Sequence, residues 1–542
     1  MKFLSARGIA LTCILSAVLV AAFALPGVAG ATTVGKQCSS TAKVKGQGST
    51  LQEEAELLWT EQFNISGNKY ACNGTQPATG EKNKPVVEYL HPGSGSGHAL
   101  RSWGASIKKP EEYIGPEPEN AFLGTDEPPN RTQLGEIEKR ETTLTPESVE
   151  TIPVLEGAVA IIANLPEGCQ ATSKSNAGRL VFNDSTLEGI YRGSITKWSS
   201  ITENGDKLSA LAAKIAKVTV TNKSTKLTVA SGGFPGVKVG YKVTGTGILV
   251  GTTVVSISGN ELELSKAAIK TSPEAGETVT FTAACNAETA ITPIVRRDGS
   301  GTTHIFKRYL NLINTAKFTD EEGKEVTWGE ISEGGANTQW PAGVVTKEHK
   351  GAETCEGSPC MVTTVAETPS SVAYVNLADV RSNGAFSKKS LEGGPKFQKF
   401  WVPLQNKEGE ESYQDPASNK DVEAKASANC AGEEFSNGSA PFPPPSVTAP
   451  WDEVTTKLTE PKYTLCGFTY VITLNAYSAF TVPTPTLEEA TTVHDYLQFV
   501  LNTEGTAGKK GGQSLIVNRD YLPLAKGEVL TEAQNGANRV AF

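Results

Sequence analysis

The sequence predicts an α/β protein that carries a small inserted all-β module. Strand-like apolar runs alternate with helix-like periodic segments along most of the chain, which implies parallel sheets covered by helices. Between 216 and 284 that rhythm gives way to short strands punctuated by glycine. The chain has 542 residues, more than one hydrophobic core normally serves, so two or three domains are expected.

Taken in order, Val44-Lys45-Gly46 leads into a helix pattern over 51–63, and Val86-Val87-Glu88-Tyr89-Leu90 reads as a buried strand. A second unit begins near Thr151 with the apolar run 158–163, and Leu187, Ile190 and Tyr191 then mark a helix. The 216–284 segment pairs apolar residues at strand spacing (Val218/Val220, Leu227/Val229, Leu262/Leu264, Val279/Phe281) around Gly232-Gly233, Gly245, Gly247 and Gly251. It reads first as a solvated structural insert, with contact to the cell wall or a partner as the alternative. The stretch 404–464 is rich in Glu, Lys, Ser, Asn and Pro and reads as an irregular surface excursion. The α/β pattern resumes at 468–474 and ends with a helix at 492–501.

The first 30 residues have the form of a secretory signal peptide: Lys2 and Arg7, an apolar run from Ile9 to Leu25, then Pro26 and small residues. Cys13 sits inside the apolar run rather than after it, so no lipobox is seen, and the chain is expected to be exported without a lipid anchor. Removing Lys2 and Arg7 takes the net charge from -9 to -11. A net acidic chain lacks the basic face that nucleic acid requires, although a closed pocket governed by local dipoles can still hold a small anion. Eight cysteines remain, and an even count in an exported chain reads as disulfides. Nearness along the chain suggests Cys38–Cys72, Cys355–Cys360 and Cys430–Cys466, which leaves Cys169–Cys285; other pairings stay open. The five histidines are scattered and no CxxC occurs, so neither a metal site nor a cofactor is expected.

Four turns rich in glycine and hydroxyls carry the candidate chemistry. They are Gly46-Gln47-Gly48-Ser49-Thr50, Gly93-Ser94-Gly95-Ser96-Gly97, Gly124-Thr125-Asp126 and Arg296-Arg297-Asp298-Gly299-Ser300-Gly301-Thr302. Thr50 and Glu53 have capping-box spacing. Helix N-termini expose unpaired N–H groups with a partial positive charge. Glycine lets the backbone approach a ligand, hydroxyls add donors, and Arg offers a planar fork suited to a tetrahedral oxyanion.

The set GQGSTL at 46–51, PGSGSG at 92–97, LGTDEP at 123–128 and VRRDGSGTTHIFKRYL at 295–310 resembles the phosphate-binding protein of bacterial phosphate ABC transporters. The resemblance covers most of 43–202, 286–400 and 465–530. It implies a two-lobe periplasmic-binding-protein (type II) fold, with 43–150 and 465–542 as one lobe and 151–202 and 286–403 as the other. It further implies inorganic phosphate as ligand, an ABC permease as partner, and no enzymatic activity. Carried over by position, Thr50, the Leu51 N–H, Ser94 and Asp126 bind from the first lobe, and Arg296, Ser300, Gly301 and Thr302 from the second. Leu51 stands where that family often has an aromatic residue, and Asp298 is expected to orient Arg296.

Asp126 is the most informative residue. A carboxylate in a dry anion site repels its ligand unless it accepts a hydrogen bond from a ligand that still carries a proton. Phosphate near neutral pH does so and sulfate does not, so the acceptor discriminates between them. Two rival readings remain. One is a hydrolase or phosphatase, since Asp298-Gly299-Ser300-Gly301 superficially resembles a glycine-flanked nucleophile with His304 one turn on. The other is a secreted surface or matrix protein in which the β insert does the binding.

Overall fold

The computed structural model describes residues 42–542 except 65–86, 106–119, 141–147, 173–178, 203–206, 321, 332–338, 342–343, 345–355, 387–397, 406–411, 420–424, 436–441, 446–450, 460, 480–484 and 507–508. The signal peptide, Cys38, Cys72 and Cys355 therefore lie outside the described residues.

Strand β1 (Val44–Gly48) is followed by α1 (Glu53–Asn64), β2 (Val87–Tyr89), α2 (Ser96–Ser102), β3 (Asn120–Thr125) and α3 (Arg131–Arg140). β1 lies between β2 and β3 and runs parallel to both, as strand–helix–strand units require. A matching half is built later in the chain. There, after α4 (Asp184–Arg192), β13 (Thr292–Ile294), α5 (Gly301–Ile313), α6 (Gly357–Glu367) and β16 (Ser371–Asn376) place β13 parallel to β16.

Two long strands join the halves. β4 (Val149–Asn164) is buried over all 16 residues, and β22 (Cys466–Leu474) is buried throughout. Between β4 and β22 the chain also forms β5 (Cys169–Thr172), β6 (Lys207–Ala210), β7 (Ala212–Val220), β8 (Lys226–Thr228), β9 (Lys242–Thr244), β10 (Val254–Ser258), β11 (Glu261–Leu264), β12 (Glu277–Thr282), the hairpin β14–β15 (Phe318–Thr319, Glu325–Val326), β17 (Lys399–Val402), β18–β19 (Leu404–Gln405, Tyr413–Gln414) and β20–β21 (Glu433–Phe435, Val454–Thr456). The main path of the large sheet is β13-β16-β4-β22-β3-β1-β2. β4 pairs antiparallel with β22 along 149–158 and with β16 along 159–164, and β22 pairs antiparallel with β3. The expectation of purely parallel sheets is thus corrected. Parallel pairing holds within each half, where helices make the crossovers, but the joining ribbon is antiparallel. Its near-continuous apolar sequence (Val154, Leu155, Ala158 through Ala163) fits a strand covered on both faces.

In register on this ribbon, Gly157 faces Gly467. A Cβ at Gly157 would sit 2.5 Å from Leu51 Cδ2, and one at Gly467 would sit 2.6 Å from Ile305 Cδ1. The turn before α1 and the first turn of α5 therefore both rest on the ribbon where side chains are missing.

Strands β7 to β12 form a separate six-stranded antiparallel sheet, order β10-β11-β8-β7-β12-β9. It has its own core of Val218, Leu227, Val243, Leu262, Val279 and Phe281. A Cys169–Cys285 disulfide and the β5–β6 pairing fasten its base. The described parts of 404–464 pack onto the ribbon rather than standing clear of it. Trp451 is buried with its ring 5.8 Å from that of Tyr470, and a Cys430–Cys466 disulfide ties this stretch to β22. Cys360 is also disulfide-bonded. Glu156 lies beside Cys430 and Cys466, but their sulfurs are committed to each other, so the trio offers no thiolate to a metal.

Gly467→Val should force Ile305 off its seat and lower stability by about 1–3 kcal/mol in urea unfolding. Gly135→Ala, on α3 with nothing within 4 Å of the new methyl, should instead raise stability by roughly 0.5–1 kcal/mol.

Candidate anion-binding site

The four turns meet at one place, at the ends of β1 and β3 and the N-termini of α2, α5 and α6. Gly97 N donates to Gly299 O at 3.1 Å and Gly95 N to Gly48 O at 2.8 Å. A Cβ on Gly95 would lie 2.8 Å from Gly299 O. Gly301, the first residue of α5, is tighter still. A Cβ there would be 2.5 Å from Ser96 Oγ and 2.6 Å from Asp126 Cβ, so only glycine lets the two halves of the sheet come this close.

Asp126 sits at the centre and is 2 % exposed. Ser49 Oγ donates to its Oδ1, and its own N–H donates to Ser96 Oγ at 3.1 Å. Burial raises its pKa to about 7, against the opposing pull of the Ser49 hydrogen bond and the Arg296 charge. Thr302 Oγ1 is buried near this carboxyl without a well-formed hydrogen bond to any group. Ser94 Oγ is likewise a buried hydroxyl with no hydrogen-bond partner among the described residues.

Arg296 is 2 % exposed and its guanidinium is held by Asp298, with Nε to Oδ1 at 2.6 Å and Nη2 to Oδ2. The free edge reaches across to Thr50 Oγ1 at 3.4 Å and to Ser358 Oγ at 3.5 Å. Asp298 thus orients the arginine, and its Oδ1 also accepts from Gly357 N at 3.4 Å.

Two predicted details take a different form. α1 begins at Glu53, and the box between Thr50 and Glu53 is replaced by a serine turn. Ser49 Oγ accepts from Leu51 N at 3.0 Å and Gln52 N at 3.1 Å, while the Glu53 carboxylate bonds His91 and Gly93 N. The Leu51 N–H is therefore turned toward Ser49, and its carbonyl accepts from Tyr521 Oη at 2.8 Å and Asn376 Nδ2 at 3.3 Å. Ser300 Oγ caps α5 by accepting from Thr303 N at 3.2 Å.

Sequence reading missed Ser49, Ser96 and Ser358 as members of the site. Ser49 and Ser96 lie inside the turns already singled out. Ser358 follows Gly357 and precedes Pro359 at the start of an apolar helix, the same signal as the other turns in a shorter form. Behind α5, Tyr374 Oη bonds Thr303 Oγ1 at 2.8 Å, and its ring stacks on Phe306 at 4.5 Å. This packing fixes the helix N-terminus. Beside Asp126 a cavity of about 40 Å³ is closed by His304, Tyr470 and Glu433. Burial, helped by the Arg308 and Lys307 charges, holds the His304 imidazole well below its ordinary pKa and hence neutral.

No known family model matches the sequence, and no curated protein does. Solved structures of phosphate-binding proteins match it. A high-affinity periplasmic phosphate-binding protein (PfluDING) with bound phosphate is 16% identical over 90% of this chain and 92% of its own, with a TM-score of 0.45. A phosphate-binding protein from Stenotrophomonas maltophilia is 13% identical over 91% of this chain and 93% of its own, TM-score 0.48. A putative phosphate ABC transporter substrate-binding protein from Clostridium perfringens, with bound phosphate, is 10% identical over 89% of this chain and all of its own, TM-score 0.36.

The raised pKa of Asp126 has a consequence for the ligand-free protein. Its neutral form is favoured in the fold, so this stability is fully present below the ordinary carboxylate pKa and is lost as pH rises through about 7. Asp126→Asn removes the ionisation. In thermal unfolding without ligand, the variant should gain on the wild type between about pH 4 and pH 7 and the difference should level off above that. A pH-independent difference would contradict the burial assigned to this carboxyl.

Proposed function

We propose that this protein is an exported solute-binding protein that captures inorganic phosphate between two α/β lobes and hands it to an ABC permease. The lobes are 43–150 with 465–542 and 151–202 with 286–403, and they close about the β4–β22 ribbon. The observation that carries the reading is a buried carboxyl, Asp126, in a cleft where neutral donors and one oriented arginine converge from both halves.

The ligand set consists of Thr50, Leu51, Ser94 and Asp126 from one lobe and Arg296, Ser300, Gly301 and Thr302 from the other, joined by Ser49 and Ser358. Ser94 Oγ, buried with no partner among the described residues, and Thr302 Oγ1, beside the Asp126 carboxyl, are hydroxyl donors a bound anion can engage, since an unmet buried donor costs about 1–3 kcal/mol. Arg296 turns its Nη1 edge, held only by long contacts to Thr50 and Ser358, into the cleft while Asp298 balances much of its charge. An oxyanion that brings its own proton can then donate to Asp126, and one fully ionised meets a repelled and unpaired carboxylate. Leu51 N–H joins the ligand only if Ser49 Oγ gives it up, which Ser49 can do by rotating its hydroxyl group toward the bound anion.

The same geometry argues against hydrolysis. Ser300 Oγ serves as the α5 cap, accepting from Thr303 N at 3.2 Å, and that role accounts for a serine between two glycines without calling on a nucleophile. Export and delivery to a permease follow from the leader-like first 30 residues and from the binding role; among the described residues no helix is long and apolar enough to cross a membrane.

Titration calorimetry of the mature chain near pH 7 should show phosphate binding and rejection of sulfate by a factor on the order of 10⁴. Asp126→Asn should narrow that gap at least tenfold, because an amide no longer repels sulfate. Gly301→Ala should weaken phosphate by about 100-fold or more through steric block of closure. Absence of phosphate binding to the wild type would end this reading, and equal affinity for sulfate would remove the role given to Asp126.

A further inference from the structure

The six-stranded sheet takes no part in the site, yet its charge and surface are distinctive. Between 207 and 284 the chain has nine lysines, four glutamates and neither arginine nor aspartate, a net +5 within a chain of net -9. The base of this sheet is fixed to the body by Cys169–Cys285 and by Leu211 N donating to Gly168 O at 2.8 Å. Followed away from that base, the antiparallel strands bring three turns, 221–225, 245–253 and 265–272, together at the far end. Lys223 N bonds Ala268 O at 2.7 Å, Ile269 N bonds Gly247 O at 2.8 Å, and Ser265 N bonds Thr253 O at 2.8 Å.

Apolar side chains are exposed on these turns. Val250 is 95%, Ile269 61% and Leu249 39% exposed. Single exposed apolar residues are ordinary. Here three occur on adjoining turns that also carry Lys223, Lys266 and Lys270; the neighbouring 273–277 turn adds Glu274 and Glu277, the latter accepting from Thr246 N at 3.2 Å, so the lysines remain in excess. Lys266 Nζ donates to Val250 O at 3.0 Å, which places a cation directly beside the most exposed valine.

We propose that this far end is a docking foot for an anionic lipid surface. Val250, Leu249 and Ile269 enter the headgroup–acyl boundary, and Lys223, Lys266 and Lys270 pair with the anionic headgroups. The combination selects this partner over others. A hydrophilic polyanion of the cell wall would satisfy the lysines but leave the apolar side chains in water. A second copy of the chain docking through the same face would set lysine against lysine. Because the sheet is tied to the body at its base, docking would hold the cleft at a fixed orientation to the bilayer.

Flotation of the mature full-length protein with vesicles tests this. Association is expected with vesicles of about 40% phosphatidylglycerol in phosphatidylcholine and not with phosphatidylcholine alone, and it should weaken as salt is raised toward about 0.5 M. The double variants Lys266→Glu/Lys270→Glu and Val250→Asp/Ile269→Asp should each lower the vesicle-bound fraction by about tenfold or more. Val250→Ser/Ile269→Ser, which adds no charge, should show a smaller loss in the same direction with an unchanged circular-dichroism melt. Failure of the wild type to float with anionic vesicles would overturn the proposal. So would full binding by the apolar variants, which would mark a polyanion site, or a concentration-dependent dimer that those variants abolish in place of vesicle binding.

Discussion

The carboxyl group of Asp126 has been withdrawn from water with one serine hydroxyl and a nearby guanidinium to offset the loss. Coulomb attraction from a free arginine at this range would hold the carboxyl ionised. Burial outweighs that attraction, and Asp298, which holds Arg296 along one edge, leaves less of its charge for the carboxyl. Asp126 is left with its pKa raised by burial to about 7. It can therefore accept from a protonated oxyanion without the cleft first taking up a full negative charge. The remaining donors are neutral hydroxyls and helix N-termini, whose fields act over a few ångströms and suit a dry pocket.

Such a carboxyl stays dry only if the two halves of the sheet approach closely, and glycines set that approach. Gly301 touches Ser96 and Asp126, Gly95 touches Gly299, and on the ribbon Gly157 and Gly467 receive Leu51 and Ile305. Leu51 links these regions. Its side chain rests on Gly157, its carbonyl is held by Tyr521 and Asn376, and its N–H faces Ser49, the partner of Asp126. A shift of the ribbon at Gly157 is thus felt at the carboxyl through one packing contact and two hydrogen bonds. The stack of Phe306 and Tyr374 does the same for α5, since Tyr374 Oη anchors Thr303 within one turn of Gly301.

Much of this arrangement was legible in the sequence because glycine-hydroxyl turns before helices have few other uses when several occur in one chain. Asp126, Arg296, Ser94 and Thr302 fall where their turns suggested, and the pairing of Arg296 with Asp298 is local, only two residues apart. Ser49 and Ser96 were missed because the choice between adjacent hydroxyls in one turn depends on backbone torsion, which composition does not record. The Thr50–Glu53 box failed for a related reason. Capping-box spacing is a local preference, and His91 and Gly93, nearly forty residues away, offered Glu53 better partners. The antiparallel ribbon was also hidden, since a strand buried on both faces reads alike in parallel and antiparallel pairing.

Charge is divided unevenly along the chain, and the division fits the separate tasks of its parts. With the +5 of 207–284 set aside, the rest of the chain carries -14. A phosphate dianion approaching that body is repelled at long range, but the repulsion is screened beyond about 10 Å at 0.1 M salt. Inside that distance the cleft presents Arg296, hydroxyls and helix N-termini, so capture is decided by the local field and not by the net charge. The basic sheet cannot supply that local field, because its own lysines lie on strands and turns that belong to a separate core. Its charge acts at its own surface. There the same screening length makes it effective only against a partner in contact, and an anionic bilayer meeting Lys223, Lys266 and Lys270 together with Val250 satisfies both the cations and the apolar side chains between them.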